Sequence, residues 1–197
     1  MNPFAINKQF EEELCKYTGA KFAVTTNCCT NAILLVCQWL KVKEVSIPRF
    51  TYVSTPLSVI QAGGKVKFDD RQWLGEYQLL PYPIWDSARL FTSGMYEKGQ
   101  YKCVSFHWKK TLAIGQGGAI LHDNEEADKW FRKMRFHGRT EGVAPKDDDV
   151  DVLGWHCYMP PSDAAEGLMR LSFLPKYNQP CSNEGTADVS KYTIFNG

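Results

Sequence analysis

Short apolar runs rich in β-branched residues alternate along most of this chain with segments of helical period, and no other feature restricts its fold as tightly. Phe10, Leu14 and Tyr17 fall on one helical face, which predicts a helix over Lys8–Tyr17 that stops at Gly19. A strand follows at Phe22–Thr26, then a buried helix over Ala32–Leu40, opened by Thr30 and Asn31. Glu44–Ile47 reads as a strand closed by Pro48, Thr51–Gln61 as a helix despite Pro56, and Lys65–Asp69 as a further strand. Pro83–Trp85, Lys102–Phe106 and Gly118–His122 are short strands, and Asp123 or Asn124 caps a strongly periodic helix over Glu125–Phe136. Strands that alternate with helices pair in parallel, so the expectation is an α/β domain: a mostly parallel central sheet with helices on both faces.

The 197 residues suffice for one well-buried domain. A formal net charge of +1 offers no overall field to recruit nucleic acid or an anionic membrane, and the basic groups at Lys41–Lys43 and Arg132–Arg139 read as solvated helix faces. Seven scattered cysteines give neither a zinc spacing nor a disulfide framework, so no metal site is expected. An odd cysteine count, the lack of a signal-peptide pattern and the lack of an apolar run near the ~20 residues of a spanning helix point to a cytoplasmic protein. Residues 143–152 read as an acidic surface loop, and in the tail from Pro180 only Tyr192–Phe195 looks able to dock.

Four segments carry candidate chemistry. Cys28-Cys29-Thr30-Asn31 lies between a strand and a helix, where backbone amides and a hydroxyl make a site for a phosphate, although most such turns bind nothing. Tyr52 follows a strand and suits either packing or stacking on a flat ring. Asp86 ends an apolar strand, where it either caps the next turn or faces a ligand at the carboxyl edge of the sheet. Lys109 and Lys110 follow the run ending at Phe106 and precede the turn Gly115–Gly118. They are either a solvent-facing pair or include an amine that burial makes nucleophilic. His107 reads as a packed or hydrogen-bonded histidine rather than a base.

Taken in order, these segments resemble the DegT/DnrJ/EryC1/StrS family of pyridoxal-phosphate (PLP)-dependent sugar aminotransferases. The resemblance starts at Phe10, Glu11, Tyr17, Gly19, Lys21, Ala23 and Val24, and continues through Cys28–Ile33 and through Pro48, Thr51, Tyr52, Ser54 and Thr55. Trp85-Asp86-Ser87-Ala88-Arg89 stands where the family has E-D-A-A followed by His or Gln. Ser105-Phe106-His107-Trp108-Lys109-Lys110 with Gly117-Gly118-Ala119-Ile120 matches its S-F-H-x-x-K and G-G-A-[IV]. Arg135–Gly138, Gly154–Pro160 and the Ala164–Leu171 helix extend the likeness to about Leu171.

The resemblance implies a fold type I large domain over residues 1–175 and a tail over 176–197, without the family's smaller C-terminal domain. It implies that Lys110, which ungapped register selects over Lys109, holds PLP as an internal aldimine and later shuttles a proton. It assigns Asp86 to the pyridine nitrogen, Tyr52 to the ring face, and Cys29, Thr30 and Ser105 to the phosphate. Arg89 adds a cation beside the ring, and His107 and His156 are substrate or neighbouring-subunit contributors in a homodimer with shared active sites. The implied reaction moves an amino group from glutamate or glutamine to a nucleotide-linked keto-sugar. The alternatives are a shortened homologue that binds PLP without independent transamination, and a structural or interaction protein that kept the fold. The departures are Cys28 and Cys29 for Ser-Gly, Thr111 for Asn and Tyr158 for the loop arginine.

Overall fold

The computed structural model describes residues 4–183 and 185–196. The chain opens with helix α1 (Ala5–Thr18), which ends where Gly19 adopts φ +83° and returns its N–H to the Cys15 carbonyl. Strand β1 (Phe22–Thr26), helix α2 (Cys29–Trp39), strand β2 (Glu44–Pro48), helix α3 (Ser54–Gln61) and strand β3 (Lys65–Asp69) follow. Pro56 is accommodated in the first turn of α3, where its missing N–H costs no helical bond. Then come β4 (Tyr77–Leu79), β5 (Ile84–Asp86), β6 (Tyr101–Ser105), β7 (Gly118–His122), α4 (Glu125–Arg135) and α5 (Pro161–Ser172). Of the two candidate caps of α4, Asn124 is the one used: its side chain accepts from Ala127 N at 3.0 Å.

The strands lie in the order β1-β7-β6-β5-β4, and Ser46 exchanges two backbone hydrogen bonds with Leu80 to bring the β2-β3 pair alongside β4. β2-β3 and β5-β6 pair in parallel, whereas β1-β7, β6-β7 and β4-β5 pair antiparallel. The sheet is therefore mixed. The mostly parallel expectation holds for strand direction, since β1, β2, β3, β5 and β6 run one way, but not for pairing. The reason is that β7 and β4 each insert, reversed, between strands that would otherwise be parallel neighbours.

Side chains alternate across the sheet, and both faces are covered. Val24, Cys103 and Ile120 face one apolar core with residues of α2 and α4. Ala23, Val104, Ala119 and Leu121 face the other with α1 and α5. Every residue of β6 and β7 is buried, as in strands covered on both faces, and the polar ones among them include Lys102, which pairs with Glu76. Gly167 lets α5 close on α1, since a Cβ there would lie 2.6 Å from the Phe10 ring.

Two expectations are corrected. Arg132 and Arg135 are not on a solvated face: Arg135 is 1% exposed and, with Arg132, holds the buried Glu11 carboxylate. The tail docks well before Tyr192, because Val189 is buried, Cys181 N donates to Arg89 O and Asn183 Nδ2 donates to Trp73 O.

Candidate active site

The carboxyl ends of β1, β2, β5 and β6 meet at one edge of the sheet, where open α/β folds place their ligands. A cleft of about 520 Å³ opens there. Cys28, Cys29 and Thr30 line it from the start of α2, Thr51, Tyr52 and Thr55 from the segment after β2, and Asp86 and Arg89 from β5 and beyond. Ser105, His107, Lys109 and Lys110 line it from the segment after β6. Eight of the nine residues to which the resemblance gives a site role line this one cleft, and His156 does not. His156 instead packs on His137 (ring centroids 4.6 Å) and Tyr158 (4.9 Å), beyond the strand edge.

The two lysines separate clearly. Lys109 is exposed, with its ammonium 4.7 Å from the centre of the Trp108 ring. Lys110 is half-buried, and burial, reinforced by the nearby Arg89 cation, pushes its pKa down from the ordinary lysine value. Asp86, at the end of β5, is 6% exposed. Its Oδ2 accepts from Thr55 Oγ1 at 2.8 Å and Tyr77 Oη at 3.0 Å, and its Oδ1 from Ala88 N at 3.1 Å. Asp86 thus caps the turn after β5 and also lines the cleft.

The start of α2 lines the cleft, and no side chain caps its first amides. Thr30 Oγ1 donates to Ser54 Oγ at 2.9 Å. Gly118 permits this packing, because a Cβ there would collide with the backbone nitrogen of Cys29. The Cys29 thiol itself turns inward, donating to Cys103 O at 3.4 Å, and burial followed by the Asp86 charge pushes its pKa well up. Cys29 therefore offers the cleft backbone, not sulfur. Ser105 is buried, and its hydroxyl accepts from His107 N at 3.4 Å.

Tyr52 is 70% exposed, so its ring stands free at the cleft rather than in a core. His107 is exposed, and its Nδ1 accepts from Lys109 N at 3.4 Å. Arg89 lines the cleft, but its guanidinium is held by the tail, donating to Ser182 O and, at 3.2 Å, to Thr186 Oγ1. Sequence reasoning missed Tyr77, Thr51, Thr55 and Gln116 as members of the site. Thr51 and Thr55 were visible only as motif positions, and Tyr77 had no signal beyond an isolated aromatic.

The arrangement fits a flat, anionic aldehyde cofactor such as PLP. An amine of lowered pKa, a buried carboxylate and a helix start without a side-chain cap line a cleft of suitable size. Among the described residues no cluster of three or more His, Cys, Asp or Glu side chains is placed to hold a metal ion.

The DegT/DnrJ/EryC1/StrS aminotransferase family model matches residues 4–73 and 93–182. A UDP-4-amino-4,6-dideoxy-N-acetyl-beta-L-altrosamine transaminase of Campylobacter jejuni is 25% identical, over 84% of this chain and 56% of its own length. PseC of Helicobacter pylori, an aminotransferase involved in the biosynthesis of pseudoaminic acid, superposes with a TM-score of 0.73 at 18% identity, over 86% of this chain and 58% of its own. The ntda protein of Bacillus subtilis with bound PMP gives a TM-score of 0.71 at 22% identity, over 86% of this chain and 48% of its own. The chain thus spans about half the length of these proteins. The matched segments cover most of the 197 residues, and the chain belongs to the DegT/DnrJ/EryC1/StrS aminotransferase family.

Proposed function

We propose that this chain binds PLP in the cleft through Lys110 and serves an aminotransferase that aminates a nucleotide-linked keto-sugar, with glutamate or glutamine as donor. The observation that carries the reading is the half-buried Lys110, of lowered pKa, in one cleft with the buried Asp86 and the open start of α2. Bound there, the cofactor supplies an aldehyde that captures amines and a ring that stores an electron pair. Lys110 Nζ then serves two roles: it bonds the cofactor between turnovers and, once displaced, moves a proton to and from the reacting carbon. A lowered pKa suits both, since only the neutral amine attacks or accepts a proton.

Asp86 keeps the pyridine nitrogen protonated, while Thr30, Ser105 and the backbone N–H groups at Cys29 and Thr30 hold the phosphate. Tyr52 covers one face of the ring and excludes water from it. The sugar class is supported by the family and by what the similar transaminase acts on. A homodimer with His156 reaching the neighbouring site is part of the same reading.

The test is the visible absorbance of the purified protein with PLP, followed by borohydride reduction and peptide mapping. We expect a shifted band and a label on Lys110, lost in Lys110→Ala and retained in Lys109→Ala. A label that survives Lys110→Ala but not Lys109→Ala would overturn the assignment. Adding glutamate should convert the band to that of the pyridoxamine form, and an unchanged spectrum with every donor would leave binding without transamination. Light scattering that reports a monomer with tight PLP binding would remove the dimer from the reading.

A further inference from the structure

The family match breaks at residues 74–92, and this unmatched stretch contains both β4 and Asp86. β4 is only three residues long, yet it is fixed from both sides. Just before it, Glu76 takes the buried Lys102 ammonium of β6 at 2.7 and 3.0 Å and the Ser87 hydroxyl at 2.6 Å. On the opposite side of the backbone, Tyr77 is 3% exposed, and its ring packs edge-on against Trp73 at 4.8 Å. β4 pairs with β5 in a register that sets Tyr77 directly opposite Asp86.

The proton positions follow from chemistry. Tyr77 has one hydroxyl proton, and its oxygen lies 3.0 Å from Asp86 Oδ2 and 2.5 Å from Thr51 Oγ1. A carboxylate only accepts, so Tyr77 donates to Asp86 and Thr51 donates to Tyr77. Thr55 donates to the same carboxylate oxygen. Oδ2 is thereby filled by two hydroxyls, whereas Oδ1 takes the single N–H of Ala88 among the described residues and keeps a lone pair. The other titratable groups around Asp86 are the thiols of Cys29 and Cys103 and the amine of Lys110.

We infer that Tyr77 is a positioning residue: through the relay Thr51–Tyr77–Asp86 it fixes the carboxylate so that Oδ1 serves the pyridine nitrogen of the cofactor. The inference rests on the PLP reading above. It assigns to a strand outside the matched segments a part of the cofactor site.

The experiment is 15N NMR of the full-length protein loaded with pyridine-15N PLP, together with the PLP dissociation constant from equilibrium dialysis. Tyr77→Phe keeps the ring packing and removes only the hydroxyl. We expect the ring-nitrogen resonance to move toward that of an unprotonated pyridine and the dissociation constant to rise about tenfold. Thr51→Val, which touches Asp86 only through Tyr77, should move both readouts the same way by less, and it serves should Tyr77→Phe fail to fold. Asp86→Asn should abolish the protonated-nitrogen signal. If Asp86→Asn does so while Tyr77→Phe and Thr51→Val match wild type, Tyr77 is a packing residue and the inference is overturned with the PLP reading intact. Wild-type protein that takes up no PLP would overturn both.

Discussion

Glu11 is buried to 3% exposure between α1 and α4, and its carboxylate carries charge into the interior. Burial alone would raise its pKa, but the guanidiniums of Arg135 and Arg132 override that and hold it down at about 2. The same carboxylate accepts from the backbone N–H and hydroxyl of Thr25, and Arg135 reaches on to Glu141. His122 is lowered too, but by burial itself. It sits at 0% exposure among the rings of Phe22, Tyr101 and Phe131, and burial, only partly opposed by Asp128, drops its pKa to about 4. Both groups bind more protons unfolded than folded below neutrality, so both make stability fall with acid. His122 does so as pH drops from 6.5 toward 4, and Glu11 as it drops from 4.5 toward 2. Urea titrations across pH should therefore show an acid limb in two stretches. Glu11→Gln, which leaves the buried Arg135 guanidinium and the partly exposed Arg132 each short of a partner, should cost about 3–5 kcal/mol at pH 7 and flatten the lower stretch. An unchanged lower stretch in Glu11→Gln would show that other carboxylates control it.

Among the elements, the contact of α1 with α5 depends on one small residue. Gly167 faces the Phe10 ring, and a Cβ at that position would approach three ring atoms at 2.6–3.0 Å. Alanine is normally the better helix former by ~1 kcal/mol, so on propensity alone Gly167→Ala would stabilise α5. Overpacking against a buried ring outweighs that, and we expect a net loss of about 1–2 kcal/mol in urea denaturation with an unchanged slope. A gain in stability would mean that α5 shifts freely over α1. Most elements were legible because their period or their breakers are local: Gly19 ends α1, and Asn124 caps α4. β4 was not legible, because three residues beside Gly75 carry no period and its existence depends on pairing with β5 and Ser46. The same holds within the site. Asp86 ends a strand and Lys110 follows one within a short loop, so both are readable from local sequence, whereas Tyr77 joins Asp86 only through strand register. The inward turn of the Cys29 thiol and the tail's grip on Arg89 are likewise tertiary outcomes. Arg132 and Arg135 looked like surface charge because their partner, Glu11, lies more than 100 positions earlier in the chain.

For the molecule as a whole, the tail after α5 runs back along the sheet edge and is fastened at separated points. Lys176 O accepts from Ser93 N, Cys181 N donates to Arg89 O, and Val189 N donates to Arg49 O. Only Val189 is deeply buried among these anchors, so the stretch should open as one unit with a free energy below that of the sheet. Native-state hydrogen exchange should find the amides of Cys181 and Val189 exchanging together, and Val189→Ala should speed both while leaving β6 and β7 amides unchanged. Independent exchange of the two would show that the anchors act separately. The place of β7 between β6 and β1 has a further consequence, this time for how the chain comes together. Phe22 finds its sheet partner in His122, and Phe10 meets its helix partner at Gly167. Both α1 and β1 therefore wait for partners made more than 90 residues later in the chain. Until β7 has been synthesised, β1 presents an unpaired, largely apolar edge, so topology alone makes folding slow and exposes the nascent segment before β7 to aggregation.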